Sequence, residues 1–226
     1  MIRRDYILRM IEEFMQVLAR INSLKKEQLW QEADTVIDEE FQRLLGSGAK
    51  AVMQLSETEL LAKIIQGEPT QVLHHKVQLL TTLFKEAGDV AMAQNRFEEG
   101  RSCYLKGIDL LLETLAHSDP SDFPDFVPKV EAFVLALKDA PLPLSTQARL
   151  MQHYEQVGAF GKAEDVLFAM LESEPNEPGL VSFGIAFYQR LAGKSEASLN
   201  EGNLPRAEVD AGLAELERRN ASLVRS

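Results

Sequence analysis

Residues 150–175 read LMQHYEQVGAFGKAEDVLFAMLESEP, and this stretch decides how the rest of the chain is read. Leu150 and Tyr154 stand one helical turn apart and so share a face. Gly158 follows at a point where a tight turn needs a residue at ease with positive φ. Phe160, Ala163, Leu167 and Leu171 then recur at three- and four-residue spacing, the period of an amphipathic helix. Ala163 is small enough to let this second helix approach the first closely, and Pro175 ends it. The stretch predicts two antiparallel helices joined by a glycine turn.

Those eight positions, Leu150, Tyr154, Gly158, Phe160, Ala163, Leu167, Leu171 and Pro175, resemble a tetratricopeptide repeat. A second copy spans Phe84 to Leu112, with Gly88 and Ala91 at the small positions of its first helix. Asn95 replaces the turn glycine and tolerates a left-handed backbone. Phe97-Glu98-Glu99-Gly100 with Tyr104, Gly107 and Ile108 repeats the second-helix pattern. Weaker copies centre on Ala33 (with Trp30, Ile37 and Phe41) and on Ala207 (with Gly202, Leu204, Ala211 and Ala214). Ala33 to Gly100 is 67 residues, Gly100 to Ala163 is 63, and Ala163 to Ala207 is 44. Against a ~34-residue period the spacing drifts. The expectation is an irregular tetratricopeptide-like α-solenoid, with close contacts between neighbouring helices at Gly100, Ala163 and Ala207.

Helical periodicity extends outward in both directions. Ile7, Leu8, Met10, Ile11, Phe14, Met15, Val17, Leu18 and Ile21 cover about half of a first helix, where one partner needs only a ~100° stripe. That helix is expected to touch two elements: two helices, or one helix and a second subunit. A helix over 27–45 ends at Gly46 and Gly48, and Ser56 with Glu59 forms a capping box for a short helix through Ile65. Helices are expected over 70–94 and 97–117, then over 127–137 with Pro128 in its first turn. Four more follow, over 145–157 with Ser145 as N-cap, 160–172, 177–199 and 205–222. Leu180 to Leu191 lacks a polar face and is expected to be the most buried helix. About ten antiparallel helices make an all-α chain. They form a single helical-repeat domain over 1–226, or two lobes, 1–118 and 126–226, joined by the connector SDPSDFPDFVP. The opening, MIRRDYILRMIEEFMQVLARI, resembles an uncharacterised bacterial family of small tetratricopeptide-like proteins. That resemblance implies an all-helical fold and a bacterial cytoplasmic setting, and supplies no activity.

Composition narrows the function further. The 226 residues carry 24 Lys and Arg against 35 Asp and Glu, a formal charge of −11. The acidity is spread as −1 over residues 1–50, −4 over 51–120 and −6 over 121–226, with no basic block. A phosphate backbone would be repelled, so no nucleic-acid partner is expected. The longest stretch without a charge, Pro178 to Gln189, is too short to cross a bilayer. Arg3 and Arg4 are followed by Asp5, Arg9, Glu12 and Glu13, which interrupt any signal-peptide core. Cys103 is the single cysteine, which excludes an internal disulfide and fits a reducing compartment; a cytoplasmic protein is expected.

Chemistry-bearing motifs are scarce. His74 and His75 are sequence neighbours, ~100° apart on a helix, and so cannot share a metal as an i, i+4 pair does. His117, Asp119, Asp122 and Asp125 lack the loop and terminal Glu of an EF-hand. Cys103 lies inside a packed helix and reads as an inert thiol. The run Asp38-Glu39-Glu40 diverges around its helix and reads as a solvated face. No catalytic residue, cofactor or metal is assigned, and the expected class is non-enzymatic. By the tetratricopeptide resemblance, a concave groove holding an extended peptide or a partner helix would be faced by Lys85, Asp89, Met92, Gln152, Glu155, Gln189 and Glu196. The Lys- and Asn-rich carboxylate clamp is not reproduced, so a mixed or basic peptide suits this acidic groove better. Protein or peptide binding is thus the leading function, with a homodimer through helix 1 as one form of it. The alternative is a small-ligand sensor or unusual enzyme with a pocket between the halves near 118–143, where five of the nine prolines fall.

Overall fold

A computed structural model describes residues 2–66, 69–118, 123–175 and 177–223. It contains twelve helices and no strand among the described residues. The chain divides into two units, Met1–Pro141 and Leu142–Ser226. The first holds α1 (Ile2–Lys26), α2 (Trp30–Leu45), α3 (Ala49–Met53), α4 (Glu57–Ile65), α5 (Thr70–Ala93), α6 (Phe97–Leu115) and α7 (Val130–Ala136). The second holds α8 (Leu144–Gln156), α9 (Phe160–Ser173), α10 (Pro178–Ala192), α11 (Glu196–Glu201) and α12 (Arg206–Leu223).

Four helix-to-helix turns are built alike. Gln28, Asn95, Gly158 and Asn203 all adopt left-handed backbone, with φ of 59°, 60°, 78° and 57°. In each, the next residue's N–H reaches back five positions: Leu29 to the Leu24 carbonyl, Arg96 to Ala91, Ala159 to Tyr154 and Leu204 to Leu199, at 2.8–3.0 Å. This is the Schellman arrangement, which satisfies carbonyls that a helix end leaves unpaired. Leu29, Arg96 and Ala159 then share nearly one backbone conformation before α2, α6 and α9 begin.

In the first unit, α1 packs on α2 and α5 through Met10, Phe14, Leu18 and Ile21. The pairing of α5 with α6 is close because a Cβ on Gly88 would lie 2.3 Å from the Tyr104 ring, and one on Gly100 2.8 Å from Met92. α7 docks by setting Phe133 over Gly107. The capping box at α4 forms: Ser56 Oγ accepts from the Glu59 N–H, and Glu59 accepts from the Ser56 N–H at 2.8 Å. In the second unit, α8 pairs with α9 and α10 with α12. Its core includes Tyr154, Phe160, Ala163, Leu167, Phe187 and Tyr188.

Several expectations are corrected here. Gly100 and Ala163 are buried at helix contacts, but Ala207 is exposed. Ala33, Gly100 and Ala163 each follow their left-handed residue by five positions, but the residue five after Asn203 is Glu208, itself exposed, so the fourth copy has no small buried residue at this position. The close approach of α12 to α10 is instead made by Gly212, under the Tyr188 ring, and by Leu216 against Gly184. A stacked array with all three small residues at its contacts is therefore excluded. The expected helix over 177–199 breaks at Gly193, because Ser195 caps a new helix by accepting from the Ser198 N–H. α3 was not expected, and α7 begins two residues after Pro128. Ser145 lies inside α8, whose N-cap is Pro143. α10 exposes Ser182, Gln189 and Arg190, whereas α5 is buried without interruption from Gln78 to Phe84. The unit boundary falls at Pro141, beyond the connector of residues 118–128, whose residues 119–122 lie outside the described ones.

Candidate functional site

The seven expected groove positions divide between the units: Lys85, Asp89 and Met92 in the first, Gln152, Glu155, Gln189 and Glu196 in the second. In the first unit, α5 presents Lys85 and Asp89 one turn apart, and the two pair with each other at 2.6 Å. Asp89 also accepts from Lys25 of α1 at 2.9 Å and from the Tyr104 hydroxyl of α6 at 2.8 Å. Lys25 bonds Glu86 at 2.7 Å, and the Lys85 ammonium lies 5.4 Å from the centre of the Tyr104 ring. Burial pushes the Asp89 carboxyl up, but the hydrogen bonds and charges of Lys25 and Lys85 outweigh it and hold the group below the usual aspartate range. Tyr104 is pushed up by burial and then by the Asp89 charge, so it stays a phenol that donates. This junction ties three helices together. Met92 is half-buried and packs on Gly100.

In the second unit, Glu155 of α8 accepts two bonds from Arg190 of α10, at 2.7 Å each. That fork-on-fork geometry suits a guanidinium and a carboxylate, and it keeps Arg190 firmly charged. Gln152, one turn before Glu155, and Gln189, next to Arg190, are exposed, as is Glu196 on α11. Tyr188 donates to Glu164 at 2.5 Å. Burial lifts the Glu164 carboxyl above its ordinary range, with Glu208 and Asp165 adding to the lift against the Tyr188 bond.

Other residues singled out in the sequence are held by local partners. Gln78, 1% exposed, bridges the two histidines, its Nε2 2.8 Å from His74 Nε2 and its Oε1 3.3 Å from His75 Nδ1. His117 is exposed, its Nε2 3.6 Å from a Glu113 carboxylate oxygen; Asp119 and Asp122 lie outside the described residues. Asp38 accepts from the Ala49 N–H, and Glu40, buried, grips Arg43 at 2.5 and 2.8 Å. Cys103 is buried, and burial pushes its thiol up to about 12. Among the described residues no group of three or more His, Cys, Asp or Glu is placed to hold a metal ion. Among them, too, no helix is long and apolar enough to cross a membrane. Lys25, Glu86 and Arg190 were missed in the sequence. Lys25 and Arg190 find their partners dozens of positions away, and no short-range spacing signals such a pair.

Comparison with known proteins gives a family but no activity. No curated protein and no solved structure matches the chain. Residues 1–221 match the family of unknown function DUF6483, and the chain belongs to that family.

Proposed function

We propose that the chain is a non-enzymatic, tetratricopeptide-like helical protein that binds another protein, a second copy included, through the outer face of α1. The observation that carries this reading is an apolar stripe left over after α1 has packed. Met10, Phe14, Leu18 and Ile21 are buried, yet Leu8 is 50% and Met15 40% exposed, with the half-buried Ile11 between them at helical spacing. A stripe of this kind on a helix already packed on one side suits a second helical partner. The recurring left-handed turn supports the repeat-like class. Within the second unit, taken by itself, the exposed Gln152, Gln189 and Glu196 are separate peptide contacts in this reading.

Light scattering coupled to size exclusion tests the self-association arm. The parent chain is expected to gain mass with concentration, and Leu8→Glu with Met15→Lys to remain monomeric. A parent that stays monomeric over a wide range overturns this arm. For a foreign partner, peptides selected from a display library against the whole chain should lose at least tenfold affinity, about 1.4 kcal/mol, with the same double variant. Peptides that ignore both this variant and Glu196→Lys count against the reading.

A further inference from the structure

Between α2, α3, α5 and α6 the first unit holds a half-open pocket of about 540 Å³, separate from the α1 face and from the Asp89 junction. Its size is within the range that takes small organic ligands, ~300–1,000 Å³. The floor is apolar: Ile37 and Phe41 of α2, Ala87 of α5, Met53 of α3 and Cys103 of α6. Cys103 donates to Met53 Sδ at 3.6 Å, so the two sulfurs form one soft, uncharged surface. The high thiol pKa keeps that surface neutral at physiological pH.

Charge on the rim selects the head group. Arg96 is shared by two carboxylates, Asp34 at 2.6 Å and Glu99 at 2.5 Å, which leaves one negative charge over. Asp38 adds another, its Oδ1 accepting from the Ala49 N–H at 2.7 Å. Lys50 is the remaining rim cation. Three carboxylates therefore face two cations. A ligand with a single positive charge neutralises this rim, whereas an anion would approach three carboxylates on an already acidic protein.

We propose that this pocket binds a small organic monocation, its apolar body against Phe41, Met53 and Cys103 and its ammonium or guanidinium among the lining carboxylates Asp34, Asp38 and Glu99. The proposal stands independently of the α1 face. Fluorescence titration of the full chain tests it with two apolar probes of opposite head charge, monodansylcadaverine (an amine) and anilinonaphthalene sulfonate. The amine is expected to saturate at one per chain and the sulfonate to bind weakly or not at all. Lys50→Gln should tighten the amine about threefold by removing a repelling charge. Ala49→Leu on α3 and Ala87→Phe on α5, which add bulk to the pocket lining, should abolish binding. Ala49 is only half-buried, so its variant is the one expected to keep the parent's circular dichroism. Displacement of the probe by phenethylamine or by a blocked Leu-Lys-Leu peptide tells a free amine from a peptide-borne one. Absence of saturable amine binding, tighter binding of the sulfonate, parent-like binding by a folded filling variant, or displacement by neither competitor overturns the proposal.

Discussion

A methyl group at Gly212 would stand 2.3 Å from the Tyr188 ring, closer than any real Cβ contact. Tyr188 is fully buried and its hydroxyl is held by Glu164, so the ring has no easy retreat. Gly212→Ala should therefore destabilise the second unit by about 1–3 kcal/mol in urea denaturation, the range for overpacking a core. Ala207→Ser, on the exposed side of the same helix, should stay within about 0.5 kcal/mol. Equal effects at the two positions would return the helix contact to Ala207. The same contrast shows what single residues disclose in a sequence. Gly158 and Asn95 advertise a left-handed turn by residue type, and both adopt one. Gln28 adopts it too, yet glutamine carries no preference for that region, and only the surrounding helices impose it. Gly212 was silent for a related reason: its partner Tyr188 lies 24 positions away on another helix. At Gln28, substitution by Val should cost about 1–2 kcal/mol, because a β-branched residue resists positive φ, whereas Gly should be tolerated. A Val variant as stable as the parent would show that the turn can relax.

Between elements, the polar junctions set how stability responds to pH. Asp89 joins α1, α5 and α6 and titrates below its ordinary range. Its contribution is thus complete above the unfolded aspartate pKa and is lost as pH falls through the lowered native value. Asp89→Asn should reduce stability at pH 7 and change it far less near pH 3, giving a shallower acid limb in denaturant titrations. An equal loss at both pH values would make the junction a packing feature only. Glu164 has the opposite sign. Its native pKa is raised, so ionisation opposes folding, and stability is lost as pH rises through the raised value. Glu164→Gln keeps an acceptor for Tyr188 and should raise the melting temperature at pH 7 but not at pH 4; a lower value at pH 7 would show that the charged acceptor matters more. Helix content was legible at this scale because apolar residues recur at three and four positions almost throughout. Boundaries were less so. Gly193-Lys194-Ser195 interrupts what reads as one apolar run, and the break depends on Ser195 capping α11. The ion-pair partners were illegible because a helical period reports which face is apolar, not which distant charge will meet it.

Across the whole chain, the division into units follows from what α7 holds. Phe133 fills the space over Gly107, and Arg101 of α6 donates to the Pro141 carbonyl, so residues through 141 belong with the first unit. The proline-rich connector suggested an earlier boundary because prolines mark breaks in helices without saying which side keeps the next helix. The first unit buries a continuous apolar cluster from Met10 to Leu110, whereas the second is shorter and has a smaller core. Smaller domains bury a smaller fraction of their surface and are correspondingly less stable. Trp30, the single tryptophan, lies on α2, so its fluorescence reports on the first unit alone, while far-UV circular dichroism reports helices of both. Urea unfolding is therefore expected to give non-coincident transitions, with part of the helical signal lost before the tryptophan responds. Residues 1–141 prepared alone should reproduce the tryptophan transition of the full chain. If both probes trace one curve in the full chain, and that curve shifts when residues 142–226 are removed, the two units fold as one cooperative body.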